Sequence, residues 1–217
     1  MNRKAFWHKF VIVIQLVFLV VVFPTATAQE ICTELSGTGP EQGFPLVGLR
    51  GCEWDKDTLT VKFLDGQKSV QEKVKKHAAE WTKHAHVKFS FVPSGNADIR
   101  ISFKDAGSWS YVGRCIPNLG QNEATMNFGW LKPSSSEEAY SRVVLHEFGH
   151  ALGFVHEHQT PAGNIPWNRK VVLKYYQDKL GWSREEVENH IFKKYDKDET
   201  NFSKHDKSSI MHYAVPD

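Results

Sequence analysis

One eleven-residue run, HEFGHALGFVH, places three histidines and a glutamate at fixed spacings. His146 and His150 are one helical turn apart, so both imidazoles project from the same face and can reach one cation. Gly153 is expected to end the helix, because glycine tolerates the left-handed conformation that turns the chain and brings His156 back as a third ligand. Three imidazoles with an open fourth position are typical of a catalytic zinc site, since structural sites fill all four positions. Glu147 is then positioned as the general base that acts on a metal-activated water.

The histidine motif and several other segments of the chain resemble one family of enzymes. The elongated histidine pattern resembles that of the metzincin zinc endopeptidases, which also carry a methionine-containing turn beneath the metal. Residues 209–213 read SIMHY, and Glu157 follows the third histidine; both features resemble the astacin branch in particular. Residues 97–103 and 108–113 look like the sheet region of astacin-like enzymes. The resemblance covers residues 54–217.

This resemblance implies an α+β, metzincin-like zinc peptidase fold. Its expected parts are a twisted mixed sheet, two long helices and a small, irregular C-terminal lobe below the active-site cleft. It implies a zinc-dependent endopeptidase in which Zn2+ is bound by the three histidines and Glu147 is catalytic. Tyr213 is implied as an extra zinc ligand or as a donor to the transition state. Met211 is implied as a structural residue that packs under the metal without binding it.

A second class of function stays open beside the peptidase. The sequence ends four residues after Tyr213, whereas the resembling enzymes continue into a closing segment with a helix. The catalytic domain at residues 54–217 is therefore expected either to be whole or to lack its last C-terminal segment. The alternative to an active peptidase is a secreted zinc-binding protein, or a truncated product, with little or no turnover.

The first 28 residues are predicted to be a secretory signal peptide. Arg3, Lys4 and Lys9 form a positive start, residues 10–23 are almost continuously apolar, and residues 26–28 offer a small-x-small cleavage site. A membrane anchor is the disfavoured alternative, because a spanning helix needs about 20 apolar residues. The sequence thus predicts a secreted, extracellular protein that has no membrane association after signal cleavage.

Charge argues against a nucleic-acid partner. The signal segment holds three of the 27 Lys and Arg residues and none of the 25 Asp and Glu residues, which leaves a formal net charge of −1 for the rest. The apparent basicity therefore belongs to the export signal.

With 217 residues, 41% of them apolar, the chain has room for one domain with a sizeable core.

Seven of the 25 residues at positions 29–53 are glycine or proline, which predicts a loop-rich lead-in or a short inhibitory pro-segment. Three cysteines follow the signal, and two of them are expected to pair in an oxidising compartment. Cys52 with Cys115 is the hypothesis, since both lie in the folded part, although sequence leaves the connectivity open. Cys32 as a thiolate that blocks the zinc has no matching sequence context.

Periodicity outlines the secondary structure. Alternating apolar residues predict strands at residues 59–63, 87–91, 99–103 and 124–130, and helical spacing predicts a helix from Val70 to Ala85. The active-site helix is expected after Pro133, with Ser135 and Glu138 at capping-box spacing, and two shorter helices near residues 167–179 and 184–195, with Ser183 and Glu186 as the cap of the second.

The strand from Ala124 to Trp130 has a functional interpretation as well. In the resembling family the fourth strand is the edge beside the cleft, and an extended protein or peptide substrate pairs with it antiparallel. Six of the other histidines are interpreted as surface or capping residues rather than ligands; they are His77, His84, His86, His158, His190 and His205.

Overall fold

The computed structural model describes residues 32–35, for which only the backbone is considered, and residues 47–213. The predicted signal peptide, most of the lead-in and residues 214–217 lie outside the described residues. Among the helices of the described part, none is both long enough and apolar enough to cross a membrane.

A six-stranded mixed sheet forms the upper part of the described structure. Its strands are β1 (Cys32–Leu35), β3 (Thr58–Phe63), β4 (Lys88–Phe91), β5 (Ile99–Ser102), β6 (Ser108–Tyr111) and β7 (Met126–Phe128). They follow the order β1-β6-β7-β5-β3-β4, and every neighbouring pair is parallel except β6 with β7. A small antiparallel pair joins β2 (Gly48–Leu49) to β8 (Thr200–Asn201). The expected strands are therefore present, and the α+β class is confirmed.

Helices pack against this sheet and form the lobe below it. They are α1 (Lys68–Ala78), which continues as a 3-10 turn (Ala79–Lys83), α2 (Glu137–Ala151), α3 (Arg169–Leu180) and α4 (Arg184–Val187), which continues as a π-helical turn (Glu188–Phe192). The capping box of Ser183 and Glu186 is present. At α2 the expected cap is wrong by one residue. The N-cap of α2 is Ser136, whose Oγ accepts a hydrogen bond from the Ala139 N–H. Ser135 Oγ instead accepts a hydrogen bond from the Lys132 N–H in the preceding turn.

The apolar core is divided between the two parts of the molecule. A large cluster fills the space between the sheet and helices α1 and α2, and it includes the fully buried Leu59, Ile101 and Phe148. A separate, smaller cluster lies in the lower lobe around Tyr176, Val187 and Ile191. The sheet with helices α1 and α2 and the lower lobe therefore depend on different sets of packed side chains.

The expected position of the cleft-edge strand is wrong. The segment from Ala124 to Trp130 contains β7, and β7 is hydrogen-bonded on both sides, to β5 and to β6. An internal strand has no free backbone groups to offer an incoming peptide. The strand beyond it is β6, and the outer side of β6 is paired with β1 in parallel register, from Cys32 opposite Ser108 to Leu35 opposite Tyr111.

The end of the lead-in is part of the folded domain. Val47 and Cys52 are fully buried, and a disulfide joins Cys52 to Cys115, which confirms the hypothesised pair. Val47 lies in an apolar cluster with both cysteines, Val112 and Val155. Residues 47–53, named the strap from here on, therefore pack as a structural element next to the end of α2.

Candidate zinc centre and active site

Helix α2 presents two of the predicted ligands from one face. His146 and His150 are one turn apart within α2, and their side chains are 6% and 0% exposed. Glu147 is on the same turn and is also fully buried. The helix ends at Ala151, and Gly153 has a φ of 105°, as expected for the residue that redirects the chain. His156, 2% exposed, follows this turn and meets the other two rings.

Backbone carbonyls determine which nitrogen of each helical histidine carries the proton. His146 Nδ1 lies 2.8 Å from the Ile210 carbonyl oxygen, and His150 Nδ1 lies 2.8 Å from that of Phe154. A carbonyl can only accept, so each Nδ1 donates its hydrogen and each Nε2 carries the lone pair of the neutral ring. This is the arrangement in which a neutral imidazole binds a metal through Nε2.

The three Nε2 atoms are spaced for a single small cation. His146 Nε2 lies 3.1 Å from His150 Nε2 and 3.2 Å from His156 Nε2. Tetrahedral zinc with Zn–N bonds of about 2.0–2.1 Å places neighbouring nitrogens roughly 3.3 Å apart. Lone pairs facing each other at this distance repel unless a cation lies between them. The donor set and its spacing therefore fit zinc, and within the described chain these histidines are the only such group of three.

Burial keeps the ligands neutral. It lowers the pKa of His146 to about 4, and it lowers the pKa of His150 and His156 well below the usual histidine value. The physical cause is the cost of placing an imidazolium away from water. The metal-binding form of each ring is therefore already the dominant form near pH 7, and no deprotonation has to accompany metal binding.

The methionine turn lies directly under α2. Met211 is fully buried, and a Cβ built on Gly149 would lie only 2.3 Å from Met211 Sδ. Glycine at position 149 thus lets this turn approach the helix closely enough for the Ile210 carbonyl to orient His146. Glu157 fixes the turn from the other side, because its backbone N–H donates to the Met211 carbonyl at 2.9 Å.

Tyr213 lies beside the third ligand. Its ring centroid is 5.1 Å from that of His156, at an interplanar angle of 89°. The predicted site residues are thus gathered in one place: the three histidines, Glu147 on the ligand helix, Met211 beneath it and Tyr213 next to His156.

Sequence reasoning missed His158. The expectation of a surface position is wrong for this residue, which is 2% exposed and whose ring lies 5.4 Å from those of both His156 and Tyr213. Its Nε2 lies 2.9 Å from the His190 carbonyl oxygen, and burial lowers its pKa to about 4. His77 is also buried, against Glu137. No periodic pattern marks His158, because it follows the ligand in an irregular turn.

Comparison with known proteins gives a consistent result. Residues 50–216 match the family model of the Astacin peptidases. A solved structure of myroilysin is similar, with a TM-score of 0.74 and 43% identity, over 78% of this chain and 84% of that one. Zinc metalloproteinase nas-24 of Caenorhabditis elegans is 30% identical over 113 residues, which are 51% of this chain and 27% of the relative.

The similarity extends to a matrix metalloproteinase. Matrix metalloproteinase-27 of Homo sapiens is 27% identical over 149 residues, which are 58% of this chain and 29% of the relative. The chain thus spans less than a third of the length of these two curated relatives.

Proposed function

This chain belongs to the astacin family of peptidases, and we propose that it is a zinc-dependent endopeptidase that hydrolyses peptide bonds in proteins. The observation that carries the proposal is the cluster of three Nε2 atoms, which are spaced for one zinc ion. In His146 and His150 the Nδ1 atom donates to a backbone carbonyl, so Nε2 is the nitrogen that can bind the metal. Glu147 is buried on the same helical turn, which supplies a carboxylate next to this cluster.

Each residue has a distinct role in the proposed reaction. Zinc, when bound, supplies a positive charge that lowers the pKa of a water towards about 7 and polarises the scissile carbonyl. Glu147 takes the proton of the attacking water and returns it to the leaving amine. The Tyr213 hydroxyl donates a hydrogen bond to the carbonyl oxygen as negative charge develops on it. No covalent link between enzyme and substrate is required.

The substrate is proposed to extend along β6. The backbone groups on the outer side of this strand are the ones that β1 occupies, and a peptide can pair with them only when β1 is displaced. A peptide antiparallel to β6 would run opposite to β1, because β1 is parallel to β6. This supports an inhibitory pro-segment at residues 29–46, which would block the substrate path until it is removed.

The enzyme is proposed to act outside the cell. The charged start, apolar run and small-residue site of the first 28 residues support export. The Cys52–Cys115 disulfide supports an oxidising compartment, since such bonds are rare in the cytosol.

The test of the proposed activity is a pair of matched substitutions on one helix. Glu147→Gln removes the general base and is expected to keep the zinc while it lowers turnover by at least about 100-fold. Glu138→Gln makes the same chemical change at an exposed position of α2 and should leave turnover unchanged. Both are made in a chain that starts at residue 47 and are assayed on a denatured protein substrate, with and without chelator, beside a measurement of bound zinc.

Two outcomes would overturn this assignment. A chain that starts at residue 47 and is folded and loaded with zinc but cuts nothing would favour the alternative, a zinc-binding protein with little or no turnover. A Glu147→Gln variant with full activity would show that another group activates the water.

A further inference from the structure

The turn that carries the third ligand is held by backbone hydrogen bonds to the strap. The Leu49 N–H donates to the Gly153 carbonyl at 3.0 Å, and the Val155 N–H donates to the Val47 carbonyl at 2.8 Å. Val155 immediately precedes His156. The strap therefore fixes the backbone of the turn on both sides of Phe154, within one residue of the ligand.

A second segment holds the end of the ligand helix. The Gly113 N–H donates to the carbonyl of His150 at 2.8 Å, and the Arg114 N–H donates to the carbonyl of Cys52 at the same distance. Gly113 has a φ of 51°, and a Cβ there would lie 1.8 Å from the Cys52 carbonyl oxygen. Only glycine fits between these segments, so the loop at residues 112–115 is tightly packed between α2 and the strap.

The disulfide joins these two segments covalently. Cys52 belongs to the strap and Cys115 to the loop, and their exposed fractions are 0% and 3%. The strap holds the turn before His156, and the loop holds the end of the helix at His150. The disulfide therefore fixes the strap, which supports His156, relative to the loop, which supports His150.

We propose that Cys52 and Cys115 are positioning residues for the metal site, and that their disulfide holds His156 where it can complete the three-nitrogen set. This inference rests on the proposed zinc function. His146 and His150 are spaced by the helix itself, whereas the position of His156 depends on a turn through Gly153, which has no helical constraint. The strap and the loop replace that constraint, and the disulfide prevents them from separating.

The test removes both cysteines and compares the result with an equally destabilising change elsewhere. In the double variant Cys52→Ala/Cys115→Ala no thiol of the pair is left to bind zinc. Reduction of the wild type is unsuitable, because the bond is buried and thiol reductants bind zinc themselves. Val74→Ala, in the fully buried core position of α1, is the matched control, since it lowers stability without touching the strap or the loop.

Two readouts separate positioning from stability. Zinc affinity, measured by competition with a chromophoric chelator, is expected to fall by about 10–100-fold in the double variant, the scale typical of lost support for a ligand. The visible absorption of the cobalt-substituted protein should change as well, because it reports the ligand geometry. Val74→Ala should lower the melting temperature with the zinc affinity and the cobalt spectrum unchanged.

The outcomes distinguish this inference from the function on which it rests. Wild-type protein without zinc affinity would refute the proposed function. Wild-type zinc binding and activity, with the same affinity and cobalt spectrum in the double variant, would refute only the role of the disulfide. An equal loss of affinity in Val74→Ala would show that general stability is responsible.

A measurement on the intact protein covers the case in which the double variant does not fold. If the disulfide places the turn before metal arrives, the amides of Gly113 and Val155 should be protected from hydrogen exchange in the zinc-free wild type. Amides that exchange freely without zinc and become protected only with zinc would overturn the inference.

Discussion

Replacing Gly149 by alanine is expected to weaken zinc binding although position 149 is not a ligand. The added Cβ would lie 2.3 Å from Met211 Sδ and 3.2 Å from Trp81 Cζ2. Non-bonded heavy atoms pack at about 3.5–4.0 Å, so Met211 must move away by more than about 1 Å. Met211 is fully buried, and close-packed interiors contain few voids that could receive a displaced side chain. The neighbouring Ile210 carbonyl, which orients His146 from 2.8 Å, would move with it.

The magnitude follows from two effects. Overpacking of a dense interior costs about 1–3 kcal/mol of unfolding free energy. Loss of the carbonyl that orients a ligand weakens metal binding by roughly 10–100-fold. Both are measurable, the first by thermal unfolding of the zinc-free protein and the second by competition for zinc with a chelator.

A second substitution tests whether the contact itself is responsible. Met211→Val removes the sulfur and the terminal methyl group, and so makes room for the new Cβ. In a double-mutant cycle the pair Gly149→Ala/Met211→Val should lose less zinc affinity than the sum of the single losses, because the two residues are in contact. Strictly additive losses, or a Gly149→Ala variant with wild-type affinity and melting temperature, would refute this reasoning.

Three further predictions concern the mechanism, the pH dependence and the lead-in. Tyr213→Phe should lower kcat more than it raises KM, since the hydroxyl acts in the transition state; an unchanged kcat would remove it from the mechanism. In the zinc-free protein burial lowers the pKa of His146 and of His158 to about 4, and it lowers the pKa of His150 and His156 well below the value of about 6.5 in an unfolded chain. The unfolded state therefore binds more protons than the folded state in this range, and the unfolding free energy should fall as the pH decreases from about 6.5 towards about 4; a flat profile in denaturant titrations would contradict this. A chain that starts at residue 47 should cleave a protein substrate faster than one that retains residues 29–46, and equal rates would argue against an inhibitory pro-segment.

Local patterns in the sequence are sufficient to predict much of the fold and the three zinc ligands. The i, i+4 spacing of His146 and His150 requires only the geometry of one helix, and Gly153 indicates where that helix ends. Alternation predicts β3, β4 and β5 because each strand has one face on the main core. These features depend on neighbours within a few residues, so they can be predicted from a single sequence.

The errors concern partners that are distant in the chain. Whether β7 is an internal or an edge strand depends on its pairing with β5 and β6, and no pattern within residues 124–130 specifies them. The glycines of the strap suggest a loop, whereas its pairing with β8 and with the turn at Phe154 makes it structural. His158 is buried by aromatic residues of the lower lobe, and only the tertiary structure brings them together.

The division of the apolar core has a consequence for the way the protein opens. Glu147, His146 and His150 belong to a helix anchored in the large cluster, whereas Tyr213 packs with the small cluster of the lower lobe. Segments with few buried apolar contacts open at a lower free energy than the rest of a domain. Zinc would bridge the two parts, since it binds ligands on the helix and on the turn that leads into the lobe. Metal removal is therefore expected to expose the lower lobe to digestion by an added protease while the sheet and its two helices remain resistant.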